Sequence, residues 1–185
     1  AHDDEATGSS VARVIDVRVL PAGEGRHLVP KLSALLIDCV LGGASVEFLG
    51  SITADDAAAY WSNVFDRVDA GRQVLLIATD EASIVGTVSL VLASQQNQPH
   101  RGDVSRLLVA PAARRQGVAD ALMAAAEREA SARGRTLLVL DTVTGSDASR
   151  LYERRDWIAA GNIPDYALSP TGELCSTTYY WKRLD

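Results

Sequence analysis

The sequence predicts an α/β or α+β domain built on a mixed sheet, and three observations lead there. The hydrophobic period switches along the chain in the order strand, two helices, three strands, helix, strand, helix, two strands. An apolar strand ends at Pro111, and a basic turn then runs straight into a small-residue-rich helix. The chain has 185 residues, 47% hydrophobic and 23% charged, which suits one domain with a sizeable core.

Residues 1–10 are small, polar and acidic and read as a disordered tail, leaving 11–185 as a single domain. Val11 to Leu20 alternates as a first strand, with Val14, Val17 and Val19 as its β-branched members. A helix from about Arg26 to Leu41 follows from the spacing of Leu28, Leu32, Leu35, Leu36 and Cys39, and Gly42-Gly43 stops it. Ala44 to Ser51 is a loop. Thr53 then reads as an N-cap, with Asp55 and Asp56 in the first turn of a helix that runs to Gly71. Gln73–Thr79 and Ile84–Leu92 are strands joined by a tight acidic turn. Gln95 to His100 is a polar loop, and Gly102 to Ala110 is a fourth strand. The next helix extends to Arg133 and closes at Gly134. Thr136 to Asp141 reads as a strand buried on both faces. A short helix over Asp147–Arg155, a strand near Trp157–Ala160, a turn at Pro170–Gly172 and a last strand Leu174–Lys182 complete the order.

The segment Leu107–Ala119 carries the sharpest functional signal. A helix starting near Gly117 presents free N–H groups and the positive end of its dipole to an anion. Arg114 and Arg115 add permanent charge at the lip, and Gly117 and Ala119 let an anion approach the backbone. The segment reads as a pyrophosphate cradle.

Bulk properties narrow the partners. A net charge of -6 leaves no basic surplus for nucleic acid. No apolar stretch is long enough to span a bilayer and no signal-peptide core opens the chain, so the expected setting is cytoplasmic and away from membranes. Cys39 and Cys175 are far apart, make no metal-ligand spacing and read as free thiols, and no metal is expected.

Arg114-x-x-Gly117-x-Ala119 after such a strand resembles the acetyl-CoA signature of the GNAT acetyltransferase superfamily, Gln/Arg-x-x-Gly-x-Gly/Ala. The resemblance implies a mostly antiparallel sheet with one splayed parallel pair and helices on both faces. It implies that acetyl-CoA is the cofactor, with its pantetheine arm against the main chain of Leu107, Leu108 and Val109. Its pyrophosphate would lie on Arg114, Arg115, Gln116, Gly117, Val118, Ala119 and Asp120. Ala148-x-x-Leu151-Tyr152 resembles the family's Asn-x-x-Ala-x-x-Leu-Tyr-x-x-x-Gly-Phe, in which the tyrosine protonates the departing thiolate. Two positions depart from it. Gly145 stands where Asn is common, and Asp156-Trp157 replaces Gly-Phe, which asks Asp156 to take a turn conformation.

An acceptor amine must be neutral to attack, and a lysine-like amine has a pKa of about 10.4 in water, so the site needs a base or a desolvating pocket. Asp141 ends the apolar run Leu137–Leu140 at the edge where such sheets place ligands, and is the preferred base. Asp103 is the second carboxylate: it falls on the face of Leu107 by period two and matches the position of a base glutamate in several superfamily members. Neither cysteine sits where an acetyl carrier would, which favours direct attack.

Val40-Leu41-Gly42-Gly43-Ala44-Ser45-Val46-Glu47-Phe48, Leu140-Asp141-Thr142 and Leu168-Ser169-Pro170-Thr171-Gly172-Glu173-Leu174 resemble the tabtoxin resistance protein group. That resemblance implies an amine acceptor that is a small molecule, of the toxin, antibiotic or amino-acid-like kind. Ser45, Phe48, Asp141 and Tyr166 would contact it, and a homodimer is left open. A protein or peptide acceptor, or a non-catalytic acyl-CoA-binding domain, are the alternatives.

Overall fold

The computed structural model describes residues 15–185. The expected tail, and residues 11–14 of the expected first strand, lie outside the described residues. Seven strands form one sheet: β1 (Ile15–Val19), β2 (Gln73–Asp80), β3 (Ser83–Leu92), β4 (Arg101–Val109), β5 (Leu137–Val143), β6 (Ile158–Leu168) and β7 (Leu174–Arg183). Four α-helices accompany them: α1 (Val29–Leu41), α2 (Ala54–Asp69), α3 (Val118–Ala132) and α4 (Asp147–Arg154). The order along the sheet is β1-β2-β3-β4-β5-β7-β6. Every neighbouring pair is antiparallel except β4 and β5.

The helices begin and end where local chemistry dictates. Thr53 accepts a bond from Asp56 N while the Asp56 carboxylate accepts from Thr53 N, a reciprocal cap that satisfies two leading donors of α2. Left-handed Gly71 follows α2 and left-handed Gly134 follows α3, as their lack of a Cβ allows.

Two apolar layers hold the sheet. On one face α1 and α2 pack Leu32, Leu36, Trp61 and Phe65 against Leu75, Ile77 and Leu108. On the other, α3 and α4 pack Leu122, Met123, Leu151 and Tyr152 against Leu76, Val88, Val104, Leu138 and Leu140. Successive β-residues point to opposite faces, so each inner strand feeds both layers.

β5 departs from the expectation of a strand buried on both sides. Leu138 and Leu140 are buried, their neighbours Leu137 and Val139 are partly exposed, and Asp141 is exposed. The end of its second face, at Asp141 and Val143, lines a cleft. β6 is also longer than expected. The strand was expected near Trp157–Ala160; Gly161, Pro164 and Asp165 also lie inside it as an edge strand, where bulges absorb them and proline costs no ladder bond.

Candidate active site

β4 and β5 pair only at Arg101–Leu137, Gly102–Leu138 and Asp103–Val139, then diverge. Beyond Asp103 the β5-facing edge of β4 has no ladder partner, although Thr87 and Gly86 still pair Leu108 and Val109 from the β3 side. The divergence opens a cleft of about 1000 Å3 that runs between the two strands. Its walls include Leu107, Leu108 and Val109 of β4, the start of α3, and Tyr152 of α4.

A bulge shapes the β4 side. Ser105 pairs with Ser89 and Leu108 with Thr87, so Arg106 and Leu107 together oppose Val88, and Arg106 takes a left-handed φ of 52°. The extra residue inverts the alternation. Val104 belongs to the α3 layer, whereas Leu108, four residues on, belongs to the α1/α2 layer. This corrects the expectation that Asp103 and Leu107 share a face. Leu107 packs toward α3, while Asp103 lies on the other side of the strand, in the closed part of the β4–β5 pair. The Asp103 carboxylate is 3.3 Å from Arg101 Nη2 and does not line the cleft.

The α3 end of the cleft fits an anion. Arg115 and Gly117 both take left-handed backbone, with φ of 58° and 80°. Gly117 is the N-cap and no side chain covers it. The first backbone bond into this turn runs from Ala121 N to Gly117 O. The amides of Val118, Ala119 and Asp120 are therefore the unsatisfied leading donors of the helix. Arg114, Arg115, Gly117, Val118, Ala119 and Asp120 all line the cleft. Arg114 also donates to Gly42 O at 3.2 Å, tying the cradle to the end of α1, and Asp120 faces Arg155 at 3.5 Å. Gln116 stands apart: its amide donates to Ala112 O and it is absent from the lining.

Asp141 and Tyr152 approach the cleft from opposite faces of the sheet. Leu140 points into the α3 layer, so Asp141 points to the other side, where Thr177 Oγ1 stands 2.8 Å from Asp141 Oδ2 and donates to it. Tyr152 is 5% exposed within the α3 layer, flanked by the rings of Trp157 and Tyr180. Burial, and then the negative charge of Asp141, push its phenol well above the usual tyrosine range. The phenol is therefore protonated at neutral pH and can supply a proton. Asp156, the residue just before the motif's last position at Trp157, does take the left-handed turn, at φ 61°.

The wall on the Asp141 side comes from the loop after α1 and from the β6–β7 hairpin. Ser45 of the loop after α1 and Tyr166 of β6 both line the cleft, and the Tyr166 and Tyr179 hydroxyls lie 2.8 Å apart. That contact raises the Tyr179 phenol to about 12. Gly50 N donates to Pro170 O at 2.9 Å, joining the loop after α1 to the β6–β7 turn over this end. Phe48 does not reach the cleft. It packs edge-on against Tyr60 of α2, centroids 5.6 Å apart, as part of the α1/α2 layer.

Arg106 is one of several cleft residues, with Glu47, Arg150 and Arg154 among the others, not expected from the sequence as site residues. Its guanidinium stacks on Phe48 and Tyr60, 5.7 and 5.1 Å from the ring centroids, and pairs with Glu47. No motif marks it. Its place in the cleft follows from the bulge, which leaves no trace in an apolar strand pattern.

A family model for the acetyltransferase (GNAT) family matches residues 43–157, which spans the cradle, the splayed strands and the tyrosine helix. The chain belongs to the GNAT acetyltransferase family, and acetyl-CoA is its co-substrate. Solved structures agree on the fold. A protein from Salmonella typhimurium, assigned as an acetyltransferase and solved with its cofactor acetyl-CoA, is 18% identical with a TM-score of 0.74, covering 92% of this chain and 94% of that one. An N-acetyltransferase from Staphylococcus aureus is 17% identical with a TM-score of 0.76, covering 93% and 99%. A ribosomal-protein-alanine N-acetyltransferase from Brucella melitensis is 21% identical with a TM-score of 0.73, covering 91% and 99%.

Proposed function

We propose that the protein moves the acetyl group of acetyl-CoA to the amine of a small molecule by direct attack. The observation that carries this reading is the closed end of the cleft. The Gly50–Pro170 backbone bond spans the acceptor side, where a peptide chain would need an open groove to pass through. The acceptor is of the amino-acid-like class, and detoxification of a toxin or antibiotic is the physiological role that fits it. Free Cys39 and Cys175 suit a reducing cytoplasm.

In this reading the pyrophosphate lies on the amides of Gly117–Asp120 beside Arg114 and Arg115. The pantetheine arm follows the unpaired edge of β4 at Leu107–Val109. The thioester would then lie in the gap between β4 and β5, where Asp141 reaches it from one face and Tyr152 from the other. Asp141 accepts the proton of the attacking amine, directly or through water, and Tyr152 donates a proton to the departing thiolate. The main-chain N–H groups of β4 stabilise the oxygen of the tetrahedral intermediate.

A screen of amines with a free-thiol readout tests this. Turnover on small amines, together with loss of kcat in Tyr152→Phe and Asp141→Asn at unchanged acetyl-CoA affinity, is the expected result. Full turnover in both variants would remove the two residues from the chemistry. Faster acetylation of a peptide N-terminus than of any small amine would overturn the acceptor class.

A further inference from the structure

Arg106 sits at the acceptor end of the cleft with more hydrogen-bonding capacity than its surroundings use. Its side chain is 13% exposed, and Glu47, 79% exposed on the loop after α1, is its ion-pair partner. A guanidinium carries five donors and stays charged throughout the accessible pH range. Arg106 Nε is buried without an acceptor. Among the described residues, the other buried arginine Nε atoms in that position belong to Arg101, Arg135 and Arg155, none of which lines the cleft. The rings of Phe48 and Tyr60 fix the guanidinium plane, so its orientation is set before any ligand arrives.

Placement relative to Asp141 gives this cation a purpose. The bulge turns Arg106 to the α1/α2 face of β4, and alternation turns Asp141 to the same face of β5. The two strands have separated between them. One side of the acceptor space therefore offers a carboxylate and the other a fixed cation, a pattern complementary to an amine that also carries an anion. Glu47 shows which anion the guanidinium accepts. It is a carboxylate, it reaches Arg106 from an exposed loop, and it does so from a left-handed backbone (φ 68°) that glutamate adopts at a cost.

We infer that Arg106 binds the carboxylate of the acceptor, which makes the acceptor an amino acid, and that Glu47 occupies that place until the acceptor displaces it. This rests on the small-amine transferase reading above and narrows it. Arg106 is a binding residue, not a participant in acetyl transfer, so its loss acts on KM more than on kcat.

The test pairs amino acids with their decarboxylated amines, including glycine, β-alanine and γ-aminobutyrate to read the span between the two groups. The wild type is expected to prefer acids over matched amines by about 100-fold in kcat/KM, the order seen when a buried charge loses its partner. Arg106→Gln should erase that preference by raising KM for acids, while matched amines change less than about 3-fold. Arg106→Lys should recover part of it, since the charge returns without the fork. Glu47→Gln should lower KM for acids.

Calorimetry on the CoA-loaded enzyme supplies a readout without turnover. Binding of acids but not amines, lost in Arg106→Gln while CoA still binds, supports the site even if no acetyl transfer is detected; in that case only the transferase reading falls. Equal binding or turnover of acids and amines by the wild type overturns the inference and leaves the transferase reading standing. An equal loss on both in Arg106→Gln, with CoA affinity retained, also overturns it by reducing Arg106 to a packing role.

Discussion

Asp141 and Tyr152 are eleven residues apart in sequence and lie on opposite sides of one sheet, with the β4–β5 gap between them. The separation suits two proton transfers on opposite sides of a thioester, since neither group has to move to serve the other's atom. Removing the phenol should therefore lower kcat by about 100-fold or more at unchanged acetyl-CoA affinity, as steady-state kinetics on Tyr152→Phe would show. The pH behaviour has a definite sign. Burial raises the folded pKa of Tyr152 above its unfolded value, so the phenol stays protonated as pH climbs through about 10. The difference between wild-type and Tyr152→Phe ultraviolet titrations should show no phenolate from this residue below that point. A component ionising near 9 would contradict the burial. The same shift implies that the Tyr152 contribution to stability is intact below about pH 10 and is lost as pH rises from there toward the folded pKa. As candidates, Asp141 was legible as the carboxylate that ends the apolar run Leu137–Leu140, and Tyr152 through the resemblance of Ala148-x-x-Leu151-Tyr152 to the family's motif. Arg106 was not, because a single extra residue in a strand of leucines and valines looks the same whether or not it bulges.

Helices and strands carry the site into position, and their boundaries were mostly written in proline, glycine and capping residues. Thr53, Gly71, Pro111, Gly117 and Gly134 stand within two residues of where the structure starts or stops an element. β6 was misjudged because its glycine, proline and aspartate have the composition of a loop, and only pairing with β7 makes them a strand. The turn into α3 is the element most sensitive to one substitution. A Cβ at Gly117 would meet no atom within 4 Å, so the cost of a side chain there is the left-handed backbone itself. Gly117→Val should raise the Kd for acetyl-CoA about 10-fold or more by moving the leading amides, with equilibrium binding as the check; an unchanged Kd would separate this turn from the cofactor.

The tyrosine helix has its own anchor. Glu127 of α3 accepts from Trp157 Nε1, Arg155 Nη2 and Lys182 Nζ, each at 3.1 Å, and these groups are largely shielded from solvent. Glu127→Ala removes the shared acceptor of the three donors, while Arg155 keeps Asp120 and Lys182 keeps the Arg155 carbonyl, so denaturant unfolding should register a loss of about 1–3 kcal/mol. Because Trp157 also packs on Tyr152, kcat should fall in the same variant.

At the scale of the whole molecule, cofactor binding and stability are one quantity. Acetyl-CoA at 100 times its Kd should stabilise the fold by about 2.7 kcal/mol. For a chain of this length that is a rise in Tm of about 5–10 °C, and a flat thermal-shift titration would remove the cofactor from this cleft. The mixed sheet and the order of elements along the chain were legible from period and punctuation, and the family resemblance made the helices on both faces and the splayed pair legible. The degree of splay was not, since divergence of two parallel strands is a property of what packs on each face and leaves no local sequence pattern.

The short β4–β5 contact has a mechanical consequence. Only three residue pairs stitch β1–β4 to β5–β7 across the middle of the sheet, all at one end. The two halves resemble the covers of a book bound along part of its spine, with the layer under α3 and α4 as a second binding. A coenzyme wedged into the open margin would bridge the covers, and amide deuterium uptake at Val104–Val109 and Asp141–Val143 should slow on binding far more than at the inner strand β2.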